Sequence, residues 1–155
     1  MKIAVIQVRG VVRTSQKVKD TLRMLKLAKK NSCVVLDVTP SFNGMIDFAK
    51  DFITWGEVTE GTVLELLKAR GRIVGNKPLT AEYLKEKAGL DLQSFVKEFY
   101  AGKKKLKDVP GLKVYFRLKP PTKGYERGGV KVPFSMGGAL GYRKDHMNDL
   151  IKRML

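Results

Sequence analysis

At 155 residues and 43% hydrophobic composition, the chain is long enough to bury a core. Its 31 Lys/Arg against 15 Asp/Glu give a formal charge of +16, more than solubility needs, and imply a polyanionic partner. One cysteine excludes an internal disulfide, Cys33 with a single histidine cannot make a zinc set, and no apolar run approaches the roughly 18 residues of a membrane span.

Residues 2–8 form a nearly continuous apolar run (Ile3, Ala4, Val5, Ile6, Val8), which predicts a well-covered strand ended by Arg9-Gly10. The run is too short for a secretory signal. From 15 to 30, Val18, Leu22, Leu25 and Ala28 recur at helical spacing among lysines, predicting an amphipathic helix with a basic outer face. Between Arg13 and Lys30 the one acid is Asp20, so this face suits phosphate better than general solvation. Residues 33–38 are β-branched and predict a second strand. Thr39-Pro40 supplies a cap and a first-turn proline for a second helix carrying Phe42, Met45, Ile46 and Ala49. Residues 52–58 predict a third strand, with a bulge at Gly56.

The middle of the chain uses one device three times. Val58-Thr59 with Val63, Leu79-Thr80 with Leu84, and Leu90-Asp91 with Phe95 each set apolar residues around a polar cap, the pattern of a hydrophobic staple. Helices are predicted over 59–70, 80–87 and 91–101, with Gly89 and Gly102 as left-handed stops after the latter two. A lysine cluster at 103–107 precedes a fourth strand over 113–118, whose residues alternate. Asp145 is expected to cap a last helix with Met147, Leu150, Ile151 and Met154 on its apolar stripe.

Between that strand and that helix lies a 26-residue stretch, 119–144, with six basic residues, the single acid Glu126, six glycines and three aromatics. Long irregular loops are usually functional or disordered, and disordered ones are poor in aromatics. Here charges match phosphate, rings can stack on bases, and glycines permit close backbone approach, so the loop is expected to grip RNA, with 125–132 mobile until it does. Net charge supports a localised surface: +5 over 1–58, +1 over 59–102 and +10 over 103–155.

Catalytic chemistry is thin. Gly137 to Gly141 is not a dinucleotide fingerprint, no phosphate-binding P-loop exists, Cys33 sits inside an apolar strand, and the acids sit on caps or beside lysines. No catalytic residue, metal or cofactor is expected. Trp55, Phe52, Phe42 and Met45 are expected in the core. Sparse glutamine and asparagine beside many lysines is a bias found in thermophile proteins.

The pattern predicts an α+β fold: a small antiparallel sheet with a βαβαβ core, helices mainly on one face, a helical insertion and a long basic C-terminal loop. The expected organisation is a core at 1–58 and an extension at 59–155 packed on it as one unit.

Five runs in order, VIQVRGVV, KDTLRMLKLAKKNSCVV, TPSFNGM with DFITWGEV, RLKPPTKG and GGALG, resemble the archaeal form of the universal large-subunit ribosomal protein thirty family, called protein seven in eukaryotes. The likeness covers nearly the whole chain, bacterial members resembling only about the first 58 residues. It implies a ferredoxin-like arrangement and a structural, non-catalytic role, as a monomer within the cytoplasmic ribosome. It further implies binding of large-subunit rRNA near the 5S rRNA and neighbouring ribosomal proteins, with no membrane partner. The family's strand-ending Arg-Gly falls on Arg9 and Gly10, its Thr-Pro turn with Gly-Met on Thr39, Pro40, Gly44 and Met45. Asn43 stands where members often carry arginine; an amide can hydrogen-bond phosphate or ribose but adds no charge. The expected RNA contacts are Arg9, Gly10, Arg13, Lys17, Lys30, Asn43, Arg117, Lys119, Lys123, Arg127, Lys131, Arg143 and Lys144, arginines giving bidentate phosphate contact and lysines point charges. The competing class is a basic DNA- or RNA-binding protein of chromatin or transcription, which would share the charge, though no helix-turn-helix signature is present.

Overall fold

The computed structural model describes residues 2–155. Its organising element is Lys2–Gln7 (β1), buried along its whole length. Ser32–Asp37 (β2) and Ile53–Glu57 (β3) pair antiparallel on either side of it. Tyr115–Arg117 (β4) adds antiparallel to β2, and Gly141–Tyr142 (β5) adds parallel to β3, giving the order β4-β2-β1-β3-β5. The βαβαβ core is the antiparallel one expected; only the β5 edge makes the sheet mixed.

The helices cover both faces, not mainly one. Gln16–Met24 (α1) and Pro40–Ala49 (α2) pack over Ile3, Val5, Val34 and Ile53. Glu60–Arg70 (α3), Ala81–Ala88 (α4), Leu92–Tyr100 (α5) and His146–Met154 (α6) pack over Ala4, Ile6, Cys33 and Phe116 on the other side. The reason lies in the continuous apolar run of β1. Leaving Ile3, Val5, Val34 and Ile53 in water would forfeit about 6–12 kcal/mol at about 1.5–3 kcal/mol per side chain, as much as the whole stability of a typical domain.

Helix ends follow their local chemistry. Thr39, Thr59 and Thr80 each accept from the backbone N–H three residues on, starting α2, α3 and α4. Both members of each expected staple pair lie in one core cluster. Gly89 ends α4 in the left-handed region at φ +67°. Asp91 and Asp145 make no side-chain cap, against expectation. Asp91 pairs instead with Lys85 at 3.0 Å. Asn148 supplies the link at the α6 start, accepting from Thr59 N–H (2.9 Å) and donating to the Asp145 and Glu57 carbonyls.

Two local features depart from the sequence pattern. α1 stops at Met24, not near Lys30, because Lys26 takes a left-handed φ of +61°. Lys26 N–H then bonds the Arg23 carbonyl and Leu27 N–H the Leu22 carbonyl at 2.8 Å, the double closure of a Schellman motif with Leu22 and Leu27 both buried. Gly56 makes no bulge, since the β1–β3 register runs unbroken from Ile3↔Glu57 to Gln7↔Ile53. The glycine is needed for another reason: a Cβ there would collide with the Lys144 carbonyl and lie 2.9 Å from Met147 Cβ, where α6 begins.

Lys2 is 2% exposed, yet its ammonium is satisfied by Asp37 at 2.6 Å and by the Phe99 ring at 4.2 Å.

Gly56→Ala is expected to destabilise the protein by about 1–3 kcal/mol through overpacking against α6, read as a lower urea midpoint with an unchanged m-value.

Candidate nucleic-acid interface

With both sheet faces covered, the cations are sorted by strand direction. β1 and β4 run one way and β2, β3 and β5 the other, so the end of β1, the start of β2, the start of β3 and the end of β4 share one end of the sheet. Backbone bonds close this end: Asn31 N–H to the Gln7 carbonyl (2.8 Å), Val8 and Arg9 N–H to the Phe52 carbonyl (2.9 and 3.1 Å), and Leu118 N–H to the Asn31 carbonyl (3.0 Å). Arg9, Gly10, Lys30, Arg117 and Lys119 therefore rim one end, and Arg13 lies in the exposed turn that leaves it toward α1. Arg9 is held in place, donating to the Asp51 carbonyl (3.1 Å) with its guanidinium 5.1 Å from the Phe52 ring.

The long loop is tied to the same end. Lys119 and Thr122 N–H donate to the Met154 and Arg153 carbonyls, both at 2.9 Å, at the last turn of α6. Tyr125 Oη meets Asn31 Oδ1 at 3.3 Å. Tyr125 and Val130 pack on Val8, Ala139 and Leu140. Lys123, Arg127 and Lys131 are exposed along this tethered stretch. None of the eight cations Arg9, Arg13, Lys30, Arg117, Lys119, Lys123, Arg127 and Lys131 is in an ion pair among the described residues. Unpaired cations converging on one end make a surface that attracts phosphate. Lys29 and Lys50, absent from the expected set, stand on the same end: Lys29 is one residue beyond Lys30, whereas Lys50 reaches it only through the β1–β3 pairing.

Four expected contacts lie elsewhere. Asn43 opens onto a cleft with Ile3, Val38, Trp55, Glu57 and Tyr142, at the opposite end of the sheet. Lys144 is exposed beside Gly56, also away from the basic end. Lys17 borders the groove between α1 and α2. Arg143 is 1% exposed and cannot reach a partner.

Arg143 works inside the protein. Its Nε donates to Thr54 Oγ1 (2.9 Å), Nη1 and Nη2 to the two Glu126 carboxylate oxygens (2.6 Å each), and Nη2 also to the Ala139 carbonyl (3.0 Å). The Phe134 ring stacks 4.6 Å away. Glu126 in turn reaches Arg153 of α6 at 3.3 Å. Burial pushes the Glu126 carboxyl up, but the Arg143 hydrogen bonds and the attraction of Arg143 and Arg153 outweigh it and hold it below its ordinary value. Burial raises the Tyr125 phenol, opposed in part by Arg143. Burial likewise lifts the Cys33 thiol far above its ordinary range, which removes it as a nucleophile.

The glycines of this loop serve self-contact. Gly128 N–H bonds the Gly137 carbonyl (2.9 Å) and Ala139 N–H the Gly129 carbonyl (3.0 Å), while a Cβ on Gly138 would collide with the Val132 carbonyl.

The chain is similar to one family of known proteins along its length. The model for ribosomal protein L30p/L7e matches residues 3–53. The large ribosomal subunit protein uL30 of Methanopyrus kandleri is 47% identical over 148 residues, covering 95% of this chain and 99% of that protein. That of Nanoarchaeum equitans is 47% identical over 152 residues (98% and 97%), and that of Methanococcus vannielii 45% identical over 155 residues, covering all of both.

Arg143→Met leaves Glu126 with Arg153 alone and is expected to cost about 2–4 kcal/mol in urea unfolding, short of the largest buried-pair losses because the carboxylate is partly exposed and keeps that second partner. Because the folded carboxyl titrates below its ordinary 4.5, the pair's stabilisation is complete above that value and is lost as pH falls through the folded one. Unfolding midpoints taken from about pH 6 down to about pH 3 should fall for the wild type, and Glu126→Gln should flatten that decline.

Proposed function

The chain belongs to the ribosomal protein L30p/L7e family, and from that premise we propose that it is a structural constituent of the large ribosomal subunit, holding rRNA with the basic end of its sheet and the loop tied to it. Full-length identity of 45–47% to three large-subunit proteins supports the assignment. Its place of action is accordingly the ribosome, in the cytoplasm, and its family is one of structural proteins. The single observation that carries the binding mode is the convergence of eight unpaired cations, Arg9, Arg13, Lys30, Arg117, Lys119, Lys123, Arg127 and Lys131, from four separate chain segments.

The chemistry suits folded RNA. Arginine forks match phosphate oxygens, lysines add point charge, and A-form helices are recognised by shape, phosphate and 2′-hydroxyl contact without a base code. The sheet faces cannot serve as stacking platforms, since helices bury both. We place the contact in the neighbourhood of the 5S rRNA, among other large-subunit proteins, and assign the chain no catalytic step.

With about eight phosphate contacts, log affinity for large-subunit rRNA should fall with log salt at a slope of about −6 to −7, and a slope shallower than about −2 would refute the electrostatic mode. Arg117→Ala should weaken binding and lessen the slope by about 0.7–0.9, while Lys144→Ala should leave both unchanged. Duplex DNA competing as well as rRNA in a gel shift would favour a chromatin or transcription role instead. Crosslinks mapped in intact subunits test the 5S neighbourhood: they should fall on rRNA near it.

A further inference from the structure

Glu126 is the one acid among the six basic residues of the 119–144 stretch, and on charge alone it should weaken RNA binding. Its geometry gives the opposite sign. Both carboxylate oxygens are engaged at 2.6 Å by a guanidinium that is itself anchored to Thr54 of β3 and to the Ala139 carbonyl. One of them also meets Arg153, whose Nη1 donates to the Gly124 carbonyl at 3.2 Å. Glu126 thus sits at the crossing of three segments: the sheet through Arg143, the last helix through Arg153, and the returning arm of the loop through Ala139. Tyr125, immediately before it, packs on the body and contacts Asn31, next to Lys30. Arg127, immediately after it, is exposed. Fixing residue 126 therefore fixes where the flanking cations Lys123, Arg127 and Lys131 stand relative to the rim.

We infer that Glu126 is a positioning residue for RNA: an internal counter-ion, shared by Arg143 and Arg153, that sets the basic loop in its binding posture before RNA arrives. The inference rests on the rRNA-binding function proposed above and supersedes the expectation that residues 125–132 are mobile until bound. Presenting the cations in place removes the ordering cost that a free loop would incur on binding. The backbone bonds of Gly128, Gly129 and Ala139 within the loop, all between 2.9 and 3.0 Å, are the local signature of that posture.

The test compares two substitutions that change net charge equally. Glu126→Gln and Asp51→Asn each remove one negative charge, Asp51 lying beside the rim with a side chain in no ion pair or hydrogen bond among the described residues. Dissociation constants are measured on a large-subunit rRNA transcript at fixed salt. Asp51→Asn is expected to bind more tightly than wild type, and Glu126→Gln about threefold to tenfold more weakly, with faster tryptic cleavage after Arg127 and Lys131. Glu126→Gln binding as tightly as Asp51→Asn would overturn the inference. Hydrogen exchange on the free wild-type protein gives a second measurement that needs no variant to fold. The Gly128 and Ala139 amides are expected to be protected, and exchange at unstructured-chain rates would overturn the inference too. If the wild type itself binds no rRNA, the proposed function fails while amide protection still reports the clamp.

Discussion

The structure turns on one buried guanidinium. Arg143 directly follows the edge strand β5, and its four hydrogen bonds reach β3, the long loop at Glu126 and the loop's returning arm. A charge taken this far out of water is tolerable only with a partner in good geometry, and arginine's planar fork supplies that geometry to a carboxylate where lysine would not. Once the pair exists, the two-residue strand β5 has a reason to stay on the sheet, and the loop before it cannot leave. The same pair makes Glu126 a shared anchor with Arg153, so that sheet, loop and α6 form one electrostatic unit.

The helices decide which parts of the sheet stay open. Sheets of this arrangement can offer an open face, but here α1 and α2 close one side and α3 to α6 the other, and the aromatics Phe116 and Trp55 pack toward those helices. What stays free is the rim. Segments far apart in sequence, at Arg9, Lys30, Arg117 and Lys123, arrive there because alternating strand directions return the chain to the same end each time. The opposite end carries Asp37, Glu57 and Asp145 with Lys144, a mixture of signs. Part of the formal charge of +16 is therefore gathered at this rim, which suits an anionic partner better than the mixed end does.

Much of this was legible beforehand wherever a short-range rule suffices. Thr39, Thr59 and Thr80 cap helices because side-chain oxygens reach N–H groups three residues on, and Met147, Leu150, Ile151 and Met154 face inward because helical spacing puts them on one stripe. Rules resting on residue type alone misled where a different residue did the work. Lys26 fills a left-handed position at φ +61° where glycine is the usual signal, so α1 ended early without notice. Gly56 looked like a bulge, but the reason for it is the Lys144 carbonyl, 88 positions further along the chain and invisible in any local window.

The sequence by itself determined the α+β class, the order of the first four strands and the six helices, the core stripes and the basic bias, because each of these is written in local spacing or overall composition, while the family likeness rested on whole runs of residues in order. Only the tertiary structure decided which cations face outward together. Arg143 and Arg127 carry the same charge on neighbouring stretches of one glycine-rich loop. One became a buried tie and the other an exposed side chain because Thr54, Glu126 and the Ala139 carbonyl converge on the first and no ion-pair partner among the described residues converges on the second, and such convergence exists only once distant segments have packed.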